Sequence, residues 1–177
     1  MGKRLNFWPL AGFLTVSVLG TLAHFAYEWS GKQLLAGAFC AVNESTWEHM
    51  KLLFFPALLF TMIQIAAARE RDGAIPAVRA VSITAGLLLI PVLYYTYTGI
   101  LGRHVLWADI TIFYLAAALT FRLDSCFRRR RRLWEPWQQA AGLLWLWGLA
   151  FLFVWWTFRP PHIGLFLDPA TGGYGIA

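Results

Sequence analysis

The 177-residue chain holds four histidines, His24, His49, His104 and His162, and each has a carboxylate close by in sequence. Glu28 follows His24 by four residues, Glu44 and Glu48 precede His49, Asp109 follows His104, and Asp168 follows His162. Imidazole and carboxylate together are a workable ligand set for zinc or a similar divalent ion. A metal held with one position open activates water near neutral pH. On a continuous helix His24 and Glu28 share one face. The residues singled out first are His24, Glu28, Glu48 and His49, with His104 and Asp109 next. In a hydrolase, His24, Glu44, His49 and His104 are candidate metal ligands. Glu28, Glu48 and Asp109 are candidate catalytic carboxylates, one glutamate serving as general base. Arg103 and Arg159 are candidates to hold an anionic headgroup.

Plainer roles exist for several of these residues. Ser45-Thr46-Trp47-Glu48 matches a capping box, in which Ser45 accepts from the Glu48 backbone N–H and Glu48 reaches back. Glu44 there would also favour the positive end of the helix dipole. Such a cap uses neither Glu44 nor His49 for its hydrogen bonds, so it leaves room for a site. A single histidine at a helix end is commonly an interfacial hydrogen-bonding group, and Asp109 could bond between helices. Asn43-Glu44-Ser45 fits a glycosylation sequon, which matters only in a secretory pathway.

The elements that must position these residues are membrane spans. The chain is 59% hydrophobic and only 14% charged, with ten tryptophans and a mean hydropathy of +0.55. Soluble domains carry about 25% charged residues. Crossing about 30 Å of hydrocarbon takes roughly 20 mostly apolar residues. Five segments qualify, at about 7–27, 51–68, 80–99, 104–121 and 138–158, with a loop at 28–50 and a tail at 159–177. The expected fold is all-α, one integral membrane bundle over the whole chain. Ser17, Gly20 and Thr21 extend the His24 face as a small, polar stripe suited to the bundle interior.

Lysine and arginine set the orientation. Lys3, Arg4, Arg69, Arg71, Arg79, Arg122 and the run Arg128–Arg132 fall at one set of ends, eleven in all; Lys32, Lys51, Arg103 and Arg159 fall at the other. Eleven against four places the N-terminus in the cytoplasm and the C-terminus outside. All four histidines then gather at the outer face, while the inner half is almost bare of ionisable groups. The first span follows Lys3 and Arg4 and contains Thr21-Leu22-Ala23, but its apolar run is long for a cleaved signal peptide and four spans follow it. The Arg128–Arg132 run, flanked by Trp134 and Trp137, reads as a topology determinant or an anionic-lipid contact, not a nucleic-acid site. Trp155, Trp156, Tyr94, Tyr95 and Tyr97 suit an interfacial belt, and Pro56 and Pro91 fall within spans. Cys40 and Cys126 lie on opposite sides and cannot pair. The tail, with Pro160-Pro161-His162, Asp168-Pro169 and Thr171-Gly172-Gly173-Tyr174-Gly175, is turn-rich, and is either a lid folded over the bundle mouth or a loose terminus.

His24-Phe25-x-Tyr27-Glu28-Trp29, Val42-Asn43-Glu44-Ser45-x-Trp47-Glu48-His49, and the Pro-Pro-His and Asp-Pro tail resemble an uncharacterised family of small prokaryotic polytopic membrane proteins, a domain of unknown function. That resemblance implies a cell (cytoplasmic) membrane and carries no activity. A looser likeness, of chemistry only, is to intramembrane metal hydrolases such as the alkaline ceramidase and adiponectin-receptor group, which have seven helices and other spacings. Two functions follow. One is an outward-facing metal-dependent hydrolase or transferase for a lipid or lipid-linked substrate. The alternative is a non-catalytic subunit, sensor or assembly factor whose outer cluster is a docking surface. A transporter fits least, because no repeat pairs broken helices.

Overall fold

The computed structural model describes residues 7–67, 75–130 and 135–176, with backbone alone at 129 and 130. The described residues form six α-helices and no strand: α1 Phe7–Trp29, α2 Leu34–Phe39, α3 Thr46–Ala67, α4 Ile75–Leu101, α5 Leu106–Arg130 and α6 Pro136–Phe158. A single turn of 3-10 helix follows at Gly164–Phe166. All but α2 are long and apolar enough to cross a membrane, the make-up of a multi-pass membrane protein. The expected spans are all present, and the short α2 is an addition inside the 28–50 loop. Of the basic residues that set the orientation, Lys3, Arg4, Arg69, Arg71, Arg131 and Arg132 lie outside the described residues, as does Trp134.

The helices alternate in direction. The C-terminal ends of α1, α4 and α6 therefore meet the N-terminal ends of α3 and α5 at one end of the bundle, called here the histidine end. The most enclosed helices, α3 and α4, pack together; α1 lies against α3 and α5, and α6 against α4. The core runs through Val16, Leu53, Phe54, Ala57, Ile83, Ala116, Leu146 and Phe153. The faces turned away from it remain apolar: Leu10, Leu14, Val18, Leu22 and Phe25 line the outside of α1, and Leu144, Trp147, Phe151, Trp155 and Phe158 line α6. So wide an apolar exterior would associate in water and suits lipid.

Glycines let the backbones approach, as small residues do in membrane bundles. A Cβ on Gly20 of α1 would lie 2.5 Å from the Leu52 carbonyl oxygen of α3. One on Gly142 of α6 would lie 2.7 Å from the Ala77 backbone of α4. Three helices run past the boundaries that charge had marked. Helix α3 begins at Thr46, α4 at Ile75, and α5 continues to Arg130. Lys51, Arg79 and Asp124, which punctuate the sequence, are fully buried and paired inside the bundle. A charge that finds its partner within the fold need not end a span.

Candidate functional site

The first site residue is set by the α1–α3 contact. Because Gly20 seats against Leu52, the next turn of α1 brings His24 over the first turn of α3, and the His24 and His49 rings stand 5.4 Å apart between centroids. Glu44, just before α3, completes the group: its Oε1 is 3.8 Å from His24 Nε2 and its Oε2 is 3.5 Å from His49 Nε2. One ligand atom from each of the three residues lies within 4.8 Å of the others. The histidines are partly enclosed and Glu44 is exposed. Second contacts orient the set. His49 Nδ1 lies 3.0 Å from the Ser45 carbonyl oxygen, which directs Nε2 toward Glu44. Asn43 Oδ1 accepts the Ser45 N–H at 2.9 Å, and its Nδ2 donates to the Gly175 carbonyl at 2.9 Å. Asn43 thereby holds the Glu44 turn against the tail, and both ends of its amide are in use. His24 Nδ1 is buried without a hydrogen-bond partner.

The other candidates are placed apart from this trio. Glu28 is exposed and pairs with Lys32 at 3.5 Å. Glu48 is turned into the bundle. Its backbone N–H donates to Ser45 Oγ at 3.3 Å, one half of the expected capping box. The other half is absent, because the carboxylate is occupied by Lys51 Nζ at 2.6 Å, the Val42 N–H at 3.1 Å and Thr157 Oγ1 at 3.2 Å. Lys51 also donates to the Gly37 carbonyl and to Thr157 Oγ1, each at 2.8 Å. This network ties α2, α3 and α6 together and commits both Glu48 oxygens to partners other than the histidines. Cys40 lies near it, and burial pushes its thiol up, against the opposing pull of the Lys51 ammonium.

His104 and Asp109 form a second pair at 3.7 Å, at the start of α5. Asp109 also accepts from the Tyr97 hydroxyl, which in turn accepts the Val105 N–H at 3.1 Å. Asp109 thus does join two helices, α4 and α5. Arg103 is exposed, and Arg159 is exposed with its guanidinium over Trp155 at 5.4 Å. His162 stacks on Tyr174 at 4.6 Å. The tail is ordered over the ends of α3 and α6: Phe166 packs on Trp47 and Trp156, and Asp168 accepts from Ala170 N–H at 2.9 Å and Thr171 Oγ1 at 2.7 Å. Trp156 is therefore half-buried, packed against the core and the tail at this end.

The opposite end is not bare. Arg79, Asp124, Arg128 and Gln64 form a cluster there that residue counting missed, having assigned Arg79 to a flank. Arg79 Nη2 donates to Gln64 Oε1 at 2.8 Å, and Arg128 Nη2 donates to the same oxygen at 3.2 Å. Arg128 Nε sits 3.0 Å from both Asp124 oxygens, while Arg79 Nε is 3.5 Å from the nearer one. Gln64, a polar residue inside an apolar stretch, and Asp124, an acidic residue four positions before Arg128, were the available signal.

The fold and the trio together define a helical bundle of five membrane-length helices with a His/Glu cluster at one end. The chain belongs to a family of unknown function (DUF6512), whose model matches residues 2–176. This bears out the resemblance to an uncharacterised family. No curated protein and no solved structure matches the chain significantly.

Proposed function

We propose that His24, Glu44 and His49 bind a divalent cation, with zinc the best chemical fit, and that the protein is a metal-dependent hydrolase or transferase acting at the outer face of a prokaryotic cell membrane on a lipid or lipid-linked substrate. The observation that carries this reading is the trio itself: two imidazoles from two helices and a carboxylate from the loop before α3, with one imidazole oriented by a backbone carbonyl. A hydrogen-bond acceptor on the far ring nitrogen is the usual companion of a ligating histidine. Two histidines and one glutamate match a known catalytic zinc ligand set, in which water takes the remaining position. Ligands bonded at about 2 Å lie within about 4 Å of one another, so closure needs only a small contraction of the trio. A bound cation would polarise an ester or phosphoester oxygen and supply hydroxide near neutral pH.

The charge asymmetry supports the orientation. Lys51 and Arg79 are buried and paired, so they drop from the count, which becomes ten against three and favours the same direction. The test of activity uses the full chain in proteoliposomes, with lipid ester and phosphodiester substrates. Turnover that is lost on chelation, restored by zinc, and absent in His49→Ala supports the reading. Turnover indifferent to both treatments, or none with any metal supplied, contradicts it and leaves the docking-surface alternative.

A further inference from the structure

We propose that the Arg79–Arg128 cluster at the opposite end of the bundle is a binding site for a phosphate monoanion, either the phosphodiester of an anionic lipid or free phosphate. The observations concern charge and partners. Among the described residues the cluster sets two guanidiniums against one carboxylate, a net charge of +1 in a buried place. Asp124 is engaged by Arg128 through both oxygens at 3.0 Å, leaving Arg79 at 3.5 Å. Arg79 is fully buried, and its Nε and Nη1 have no hydrogen-bond partner. Phe60 and Phe121 flank its guanidinium at 5.2 and 4.7 Å. Each such contact offsets only part of what burying an ion costs. One turn further along α4, the buried Ser82 hydroxyl also has no partner.

Arginine pairs are suited to phosphate, because the planar fork presents parallel N–H donors to two oxygens. In this cluster Arg79 would form the floor of the site through its free Nη1. Arg128, the only member with side-chain exposure (12%), forms the wall on the solvent edge. Entry is by displacement of Arg128 toward the rim, with the anion taking up the charge that Asp124 leaves uncompensated. This inference is independent of the histidine trio, which lies at the other end of the bundle.

The test is thermal unfolding of the purified full chain. In one arm it is in detergent with inorganic phosphate or, as control, chloride at equal ionic strength. In the other it is in phosphatidylcholine nanodiscs with or without phosphatidylglycerol. Specific binding raises the midpoint by about 5 °C in at least one arm. A shift with phosphate identifies the free ion as sufficient, and a shift with phosphatidylglycerol alone identifies the lipid headgroup. Arg79→Met removes the excess positive charge and leaves the Arg128–Asp124 pair, so it folds with an unchanged or higher basal midpoint and loses the shift. Arg128→Met serves the same purpose should Arg79→Met fail to fold. No shift in wild type in either arm overturns the proposal. So does a shift that survives in the folded variants, which would assign it to the exposed basic surface.

Discussion

At the residue scale, two carboxylates four positions apart, Glu44 and Glu48, have opposite fates. Glu44 is exposed and faces both imidazoles, while Glu48 is buried against Lys51. The difference lies in the helix they precede or join. Glu44 lies outside α3, whereas Glu48 sits on its first turn facing α6. Breaking a buried pair leaves a lone charge in a low-dielectric interior, which costs about 3–5 kcal/mol. Lys51→Met is accordingly expected to lower stability by that amount, read as a fall in the unfolding midpoint in detergent. Glu48→Gln combined with Lys51→Met should recover most of it; a double variant as unstable as the single one would show that the pair is not the cause. Cys40 gives a pH prediction. Burial holds its thiol up, so less thiolate is present at neutral pH than in a solvated cysteine. In a Cys126→Ser background its alkylation should be slow at neutral pH. The rate should still be rising with pH where a free thiol has levelled off. A profile that levels in the ordinary cysteine range would contradict this.

At the element scale, the α1–α3 contact at Gly20 decides whether the trio exists. In Gly20→Ala the added Cβ meets the Leu52 carbonyl oxygen at 2.5 Å and Phe113 Cζ at 2.6 Å, so the helices must separate. Overpacking of this kind costs about 1–3 kcal/mol. The separation carries His24 away from His49, and bound metal should fall about tenfold or more, an estimate in line with losses on disturbing ligand orientation. Gly148→Ala, where nothing lies within 4 Å, is the control and should be neutral or slightly stabilising. An equal effect from both substitutions would remove the role given to Gly20. Much at this scale was legible in the sequence. Hydropathy marks all five long helices, and Ser17 and Gly20 are buried as their stripe implied, although Thr21 is exposed and bonds to the Ser17 carbonyl at 2.8 Å. The Ser45 cap marked the start of α3, but the start of α4 and the end of α5 were not legible, because Arg79 and Asp124 look like boundaries until their partners are known. Pairings between helices are likewise invisible to periodicity, which gives faces but not neighbours. That is why His24, Glu44 and His49 were among the candidates, but so were Glu28, Glu48 and His104, with nothing to separate them.

At the scale of the whole molecule, the two ends of the bundle differ in charge and in kind. The histidine end carries an exposed cluster that includes a carboxylate, under a tail held by Asn43 and Phe166. The other end buries an excess of guanidinium. The proposed orientation puts the first outside, and it is testable in a chain freed of cysteine by Cys40→Ser and Cys126→Ser. Lys32→Cys should react with a membrane-impermeant maleimide in intact cells, and Glu135→Cys only after permeabilisation. The reverse pattern would invert the topology and place the histidine cluster in the cytoplasm.

The central claim is the cation, and elemental mass spectrometry tests it most directly. The full chain is purified in detergent without chelator and without a nickel resin, beside a His24→Ala/His49→Ala variant shown to keep its unfolding midpoint. Near-stoichiometric zinc, or another divalent metal, is expected in the wild type, and its loss in the variant. Wild type free of metal, even after dialysis against zinc, or metal equally retained by the variant, would contradict it.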